Sequence, residues 1–163
     1  MLGKLRVLSG EEVVIRARQT QFGMEELLEL RQFLEQGKIH EALLLVDELE
    51  EMSLSDKINK IDSYGVILLI HLIKQKAEKR STRSWDVSIE NTVREINKIN
   101  KRRKSGGFYL NQAELMDILQ QGYQVALKRA ALEAFEGRYE AQELAAMVDE
   151  QETLAEALEL IQQ

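Results

Sequence analysis

The most apolar stretch of the chain decides the fold: Val66-Ile67-Leu68-Leu69-Ile70-His71-Leu72-Ile73. It lies inside a longer segment, Asp56 to about Lys79, whose apolar residues recur three and four positions apart, as on one buried face of a helix. These residues are Ile58, Ile61, Gly65, Leu68 and Leu72. After Val66 the segment is apolar on all sides, so we expect neighbouring helices to surround it. Gly65 costs about 1 kcal/mol relative to alanine inside a helix, which predicts that another helix crosses close to it.

The segments before this central helix predict a helical hairpin. The first helix runs from Met24 to Gln36 and the second from Ile39 to Met52, because both carry aliphatic residues at helical spacing. Gly37 is placed to end the first helix, and so short a connection requires the chain to fold back. The run Ser53-Leu54-Ser55-Asp56 predicts the boundary with the central helix, since short polar side chains cap helix starts.

Residues 1–23 are set apart as an N-terminal extension. Ser9 and Glu12 have the spacing of a capping box, which predicts a short helix from about Gly10 to Arg18. Gly23 predicts a break after it. We therefore place an all-helical domain at residues 24–163.

Two longer helices are predicted after the central helix. Ser84 is expected to cap a helix that runs from Trp85 to about Arg103. Asn111 is expected to cap the longest helix, which continues to about Phe135 and is closed by Gly137.

The last part of the chain predicts two short helices from about Ala141, divided near Asp149. Together these segments describe an all-α fold. We predict a single-domain helical bundle of about five main helices, with short terminal helices packed against them.

Composition excludes several kinds of site. The chain has no cysteine, which excludes disulfides, zinc fingers and iron–sulfur clusters. No apolar run approaches the roughly 20 residues of a membrane span, and we expect a cytoplasmic protein without membrane contact. The sequence lacks the motifs of hydrolases, phosphate-binding loops and dinucleotide-binding folds. The residues three before His40 and His71 are not glutamates, so the pattern of di-metal bundles is absent and we expect no metal and no cofactor.

A lone histidine in the apolar stretch is the first candidate for chemistry. His71 has a side chain that titrates near neutral pH, and Lys74 lies three residues further along the same helix face. One interpretation is an enzyme in which the two residues are catalytic. The other is a core histidine whose ring nitrogen bonds a backbone carbonyl or a facing carboxylate, and we take this interpretation first.

A basic stretch is the second candidate. Residues 74–104 contain eleven basic and four acidic residues, a net charge of +7 in a chain whose net charge is −6. Its candidates for binding nucleic acid or another anion are Arg80, Arg83, Trp85, Lys98, Lys101, Arg102, Arg103 and Lys104. Clustered cations bind phosphates, but cations are also favoured at a helix C-terminus, where Lys101 to Lys104 are expected. Trp85 can stack on a base, or it can hold an arginine by a cation–π contact and anchor a loop.

Acidic segments favour protein partners over nucleic acid. The second predicted helix carries a charge of −5, and the segment from Glu133 to the end carries −8. Acidic and basic halves can pair inside the fold or between copies of the chain. The first functional prediction is therefore a noncatalytic protein-interaction module or homo-oligomer. Nucleic-acid binding through residues 74–104 and an enzyme that uses His71 and Lys74 are the alternatives.

The chain resembles a known bacterial family, frequent in cyanobacteria, called domain of unknown function twenty-nine. The resemblance is carried by an acidic helix that leads into Ser53–Asp56, by His71-Leu72-Ile73-Lys74, and by the arginine- and serine-rich turn Arg80–Trp85. It extends over roughly residues 24–163, and the chain departs from the family pattern at Gln75 and at residues 76–78. The resemblance implies a small, cytoplasmic, all-α domain and assigns no activity to it.

Overall fold

The protein is all-helical in its computed structural model, which describes the backbone of residues 10–102 and 106–162 and, within those ranges, the side chains from residue 23 onward. These ranges contain six α-helices and one 3₁₀ turn. They are α1 (Gly10–Glu35), α2 (Ile39–Glu78), α3 (Arg83–Asn100), α4 (Gln112–Glu133), the 3₁₀ turn Ala134–Gly137, α5 (Ala141–Ala145) and α6 (Glu150–Ile161). The predicted all-α class is confirmed. No helix in the described ranges is long and apolar enough to cross a membrane.

Two predicted helix boundaries are wrong. Helix α1 continues through Gly23, and helix α2 continues through Ser53–Asp56. The chain contains no proline, so every backbone N–H in these segments can extend the hydrogen-bond ladder. An internal glycine costs only about 1 kcal/mol, whereas a helix end leaves four carbonyl groups without a helical partner. The capping box predicted at Ser9 lies outside the described residues.

The chain divides into two compact units, residues 1–53 and 54–163. In the first unit α1 and the start of α2 form the predicted helical hairpin. Gly37 has a φ of 71°, and Lys38 N–H donates to the carbonyl of Phe33 at 2.8 Å. This geometry is a Schellman ending of α1, so the role predicted for Gly37 is confirmed. The separate domain boundary predicted at residue 23 stays a prediction.

The core of the second unit is built around the apolar stretch of α2. Leu68, Leu69 and Ile73 have no exposed surface. A Cβ atom on Gly65 would lie 3.2 Å from Leu119 Cδ2, so α4 crosses α2 at this glycine. The close crossing and the burial predicted from the sequence are both confirmed.

The ends of α3 and α4 differ from the predictions by one to three residues. Thr82, rather than Ser84, caps α3, since its hydroxyl accepts a hydrogen bond from the Trp85 N–H at 3.1 Å. Asn111 caps α4 as predicted, and its side chain and that of Glu114 form a capping box. Helix α4 ends at Glu133 rather than near Phe135 because the backbone turns left-handed there, with a φ of 50° at Phe135. The predicted division between the two last helices is confirmed, since Asp149 caps α6.

Candidate functional site

A buried lysine joins three helices of the second unit. Lys74 on α2 is only 6% exposed. Its Nζ donates to Glu133 Oε2 on α4 at 2.8 Å and lies 4.6 Å from the centroid of the Trp85 ring on α3. A buried ammonium group is costly unless it has partners, and here the carboxylate and the aromatic face supply them. Sequence reasoning missed Glu133 because it lies 59 residues further along the chain.

Trp85 is held between cationic groups. The guanidinium carbon of Arg80 lies 4.9 Å from its ring centroid, in addition to the Lys74 contact. Arg80 also forms an ion pair with Glu78 at 3.1 Å. These contacts agree with the sequence interpretation in which Trp85 holds an arginine by a cation–π contact and anchors a loop. A ligand-binding role for Arg80 and Trp85 stays a prediction.

Side-chain hydrogen bonds also hold the turn between α2 and α3. Gln75 Nε2 donates to Ser81 Oγ at 2.8 Å, and Ser81 Oγ donates to Asp86 Oδ1. The turn between α2 and α3 is therefore fixed by side chains from both helices. Arg83, at the first position of α3, is exposed and stands outside this group.

His71 lies one helical turn before Lys74. Its Nδ1 is covered by protein atoms and makes no hydrogen bond, so the hydrogen bond expected at a ring nitrogen is not formed at Nδ1. Burial lowers the pKa of His71 below 6.5, and the charge of Lys74 lowers this pKa further, while Glu133 opposes both effects. The structure thus brings the predicted pair His71 and Lys74 together with Glu133. Whether either is catalytic stays a prediction.

We expect the neighbours of His71 to move its pKa in opposite directions. Lys74→Met removes a nearby cation and should raise the pKa of His71, whereas Glu133→Gln removes a nearby anion and should lower it. An NMR titration of the imidazole C–H signals measures both shifts. Two shifts of the same sign would contradict this arrangement of charges.

The same lowered pKa fixes the sign of a pH effect on stability. Between the folded-state pKa and about 6.5 the unfolded chain binds a proton that the folded chain does not. The contribution of neutral His71 to the free energy of unfolding is therefore fully present above about pH 6.5. It is lost as the pH falls through the folded-state pKa. His71→Gln should remove this dependence, and His40→Gln, at an exposed position on α2, is the matched control.

The structure does not gather the predicted nucleic-acid residues into one site. Arg80, Arg83 and Trp85 lie at the start of α3, and Lys98, Lys101 and Arg102 lie at its end. An 18-residue helix is about 27 Å long, so the two groups are far apart. Arg103 and Lys104 lie outside the described residues.

The basic cluster begins at the C-cap of α3, although the helix ends three residues earlier than predicted. Helix α3 ends at Asn100, and Lys101 is already extended and forms an isolated antiparallel bridge with Phe108. The Asn100 amide ends the helix because it donates to the Leu110 carbonyl at 3.1 Å and accepts from the Leu110 N–H at 2.8 Å. Arg102 then packs its guanidinium 5.2 Å from the Tyr109 ring centroid. Lys101 and Arg102 thus directly follow the last residue of α3, at the helix end where the dipole favours cations.

A second candidate surface lies in the first unit, on the hairpin. Among the side chains described there, residues 23–53, only Ala42 and Leu45 are buried hydrophobic residues. Seven large apolar residues are more than half exposed. They are Met24, Leu27, Leu28, Leu34, Ile39, Leu43 and Leu44.

The apolar residues of α1 lie on one side of the helix, which we call the α1 stripe: Met24, Leu27, Leu28 and Leu34. Their spacing of three, four and seven residues places them on neighbouring turns. Three of them border an open depression of about 290 Å³, together with Arg31. The sequence carried a signal for this surface, since Leu27, Leu28 and Leu34 recur at helical spacing.

The surroundings of the α1 stripe are acidic. Residues 23–53 contain nine acidic and two basic side chains, a net charge of −7. Glu25 and Glu29 are exposed beside the stripe, and Arg31 is paired with Glu35 at 4.0 Å. An apolar surface with an acidic border therefore characterises this unit.

Comparison with known proteins identifies a family and no individual relative. The model of the family described as Domain of unknown function DUF29 matches residues 25–158. That range covers most of the chain and includes Lys74, Trp85 and Glu133, but it includes α1 only from Glu25 onward. No curated protein and no solved structure matches the chain.

Proposed function

Because the chain belongs to the family described as Domain of unknown function DUF29, its function has to be inferred from its own surfaces, and we propose that it is a cytoplasmic, noncatalytic protein-interaction module that binds its partner through the α1 stripe. The observation that carries this proposal is the exposure of the stripe: Met24 is 62% exposed, Leu27 59% and Leu28 58%.

The exposed leucines of the α1 stripe would gain free energy if a partner buried them. Burying a leucine side chain is worth about 1.5–3 kcal/mol, and contiguous apolar patches of this kind mark interaction surfaces. Within residues 23–53 only Ala42 and Leu45 are buried apolar residues. Glu26 Oε2 is covered and accepts no hydrogen bond in the described structure. A partner that covers the stripe would supply the apolar contacts that the hairpin lacks.

The charge of the hairpin defines the chemistry of the partner. A surface with a net charge of −7 repels an acidic partner and attracts one whose apolar face is bordered by lysine or arginine. An amphipathic helix with leucine on one face and basic residues beside it meets both requirements. Such a helix binds by laying its apolar face along an apolar groove or stripe.

The alternatives have less support. Several cations of residues 74–102 already have partners within the fold, which weakens the case for a phosphate-binding surface. These contacts are Lys74 with Glu133, Lys76 with Glu156, Arg80 with Glu78, and Arg102 with the Tyr109 ring. The enzyme interpretation requires a reactive group at His71, whose Nδ1 is covered.

A peptide titration tests the proposal. The probe is a labelled helical peptide of leucine and lysine, and fluorescence anisotropy measures its binding to the full chain. Leu27→Ser with Leu28→Ser should weaken binding about a hundredfold, since two buried leucines contribute on the order of 3 kcal/mol. The matched control is Val87→Ser, because Val87 in the second unit is also 59% exposed, and it should leave the affinity unchanged.

Two further probes separate the competing interpretations. A leucine–glutamate peptide of the same length should bind much more weakly than the leucine–lysine peptide. A labelled single-stranded oligonucleotide represents the nucleic-acid alternative, and its binding should fall steeply with salt if residues 74–102 hold it. Peptide binding that does not change when Leu27 and Leu28 are replaced would overturn the proposal.

A further inference from the structure

We infer that the α1 stripe of one chain binds an exposed stripe on α4 of a second copy. The α4 stripe consists of Val125, Lys128, Arg129 and Leu132. This inference rests on the proposed function, because it names the partner that the α1 stripe takes.

The α4 stripe is an apolar surface with basic residues between its apolar ends. Val125 is 52% exposed and Leu132 77% exposed. The four residues have the spacing i, i+3, i+4 and i+7, which places them on one face of the helix. Lys128 and Arg129 are both exposed, and among the described side chains, residues 23–102 and 106–162, neither forms an ion pair or a cation–π contact.

Helix α4 holds this stripe on a rigid support. Its opposite face is packed in the core, where Leu119, Ala126 and Ala130 are at most 3% exposed. The capping box at Asn111 fixes its start. At its other end three successive left-handed residues, Phe135 to Gly137, prevent the helix from continuing. The α4 stripe is therefore already in place before a partner binds.

The two stripes are complementary in charge. The α4 stripe is the shorter of the two, since Val125 to Leu132 spans about 10 Å of helix and Met24 to Leu34 about 15 Å. The α1 stripe is bordered by Glu25 and Glu29, whereas the α4 stripe carries the exposed cations Lys128 and Arg129. Association of the hairpin with the hairpin of another copy would bring two surfaces of −7 together. Charge thus favours the α1-to-α4 contact over an α1-to-α1 contact.

In the inferred dimer a two-fold axis relates the two copies and pairs each α1 stripe with the α4 stripe of the other copy. Two reciprocal contacts also strengthen each other, since the second forms at a high effective concentration.

Light scattering of the full chain and of complementary variants tests this arrangement. The unaltered chain should have the mass of two chains. Leu27→Asp damages only the α1 stripe and Leu132→Asp only the α4 stripe, and each variant should have the mass of one chain. Both positions are exposed, so circular dichroism should show the same helix content in all three proteins. An equimolar mixture of the two variants at high concentration should regain the mass of two chains, because one intact pair of stripes remains.

A charge variant supplies an independent readout. Lys128→Glu with Arg129→Glu should raise the dissociation constant of the dimer by at least about tenfold in about 0.1 M salt. In about 1 M salt, where the Debye length is only about 3 Å, the difference from the unaltered chain should shrink.

Specific results would overturn the inference and leave the proposed function in place. These are a one-chain mass for the unaltered protein, an unchanged dimer in Leu132→Asp, or a variant mixture that stays at one-chain mass. In each case the peptide titration still reports whether the α1 stripe binds a partner. If Leu27 and Leu28 have no effect on peptide binding, the proposed function itself fails.

Discussion

Replacing Asn100 by alanine should lower the free energy of unfolding by about 3 kcal/mol. Asn100 is 3% exposed and Leu110 is 4% exposed. The Asn100 amide bonds both the N–H and the carbonyl of Leu110, at 2.8 and 3.1 Å. Alanine would leave both buried backbone groups unsatisfied, and each such group costs about 1–3 kcal/mol. Chemical denaturation followed by circular dichroism measures the loss.

The control for this prediction is on the same helix. Asn91 on α3 is exposed and makes no side-chain hydrogen bond in the described structure, so Asn91→Ala should change stability by less than about 0.5 kcal/mol. A loss below about 1 kcal/mol in Asn100→Ala would contradict the role assigned to this amide in closing the loop from Lys101 to Leu110.

Replacing Gly122 by leucine should lower the free energy of unfolding by about 2–3 kcal/mol. A Cβ at this position of α4 would lie 3.0 Å from Val66 Cγ2 and 3.4 Å from Asp62 Oδ1 on α2. The rest of the leucine side chain has no space at this crossing, and overpacking a core costs about 1–3 kcal/mol. Leucine is a better helix former than glycine, so any loss of stability must come from the packing of α2 against α4.

Gly23→Ala is the matched control for Gly122→Leu. Gly23 also lies inside a helix, but apart from its chain neighbours and its own helix backbone no described atom lies within 4 Å of a Cβ built on it. Alanine there should stabilise the chain by about 1 kcal/mol. A Gly122→Leu variant that is as stable as the unaltered chain would show that the helices can separate at this crossing without cost.

Sequence reasoning succeeded where a signal is local or periodic. The run Val66–Ile73 is apolar on all helix faces, which only a buried helix tolerates, and Gly65 pointed to the crossing with α4. It failed at Gly23 and at Ser53–Asp56, where weak local stop signals were overridden by the continuity of the backbone ladder. Local signals show which residues can end a helix, but the cost of ending it there depends on the surrounding structure.

The candidate sites show the same limit. His71 and Lys74 were identified because they interrupt an apolar stretch, but their partner Glu133 is remote in sequence. The spacing of Leu27, Leu30 and Leu34 predicted an apolar face on α1, but periodicity does not show what covers such a face. Only the positions of the neighbouring helices show that Leu68 is covered and that Leu27 is exposed.

The central claim is that the α1 stripe binds a protein surface, and methyl NMR of methionine tests it most directly. The full chain, labelled at its methionine methyl groups, is titrated with the leucine–lysine peptide. Met24 lies in the stripe and is 62% exposed, whereas Met147 is 41% exposed in the second unit and serves as the internal control. We expect the Met24 signal to shift with peptide concentration and the Met147 signal to stay in place. A peptide that binds while the Met24 signal does not move would contradict the account.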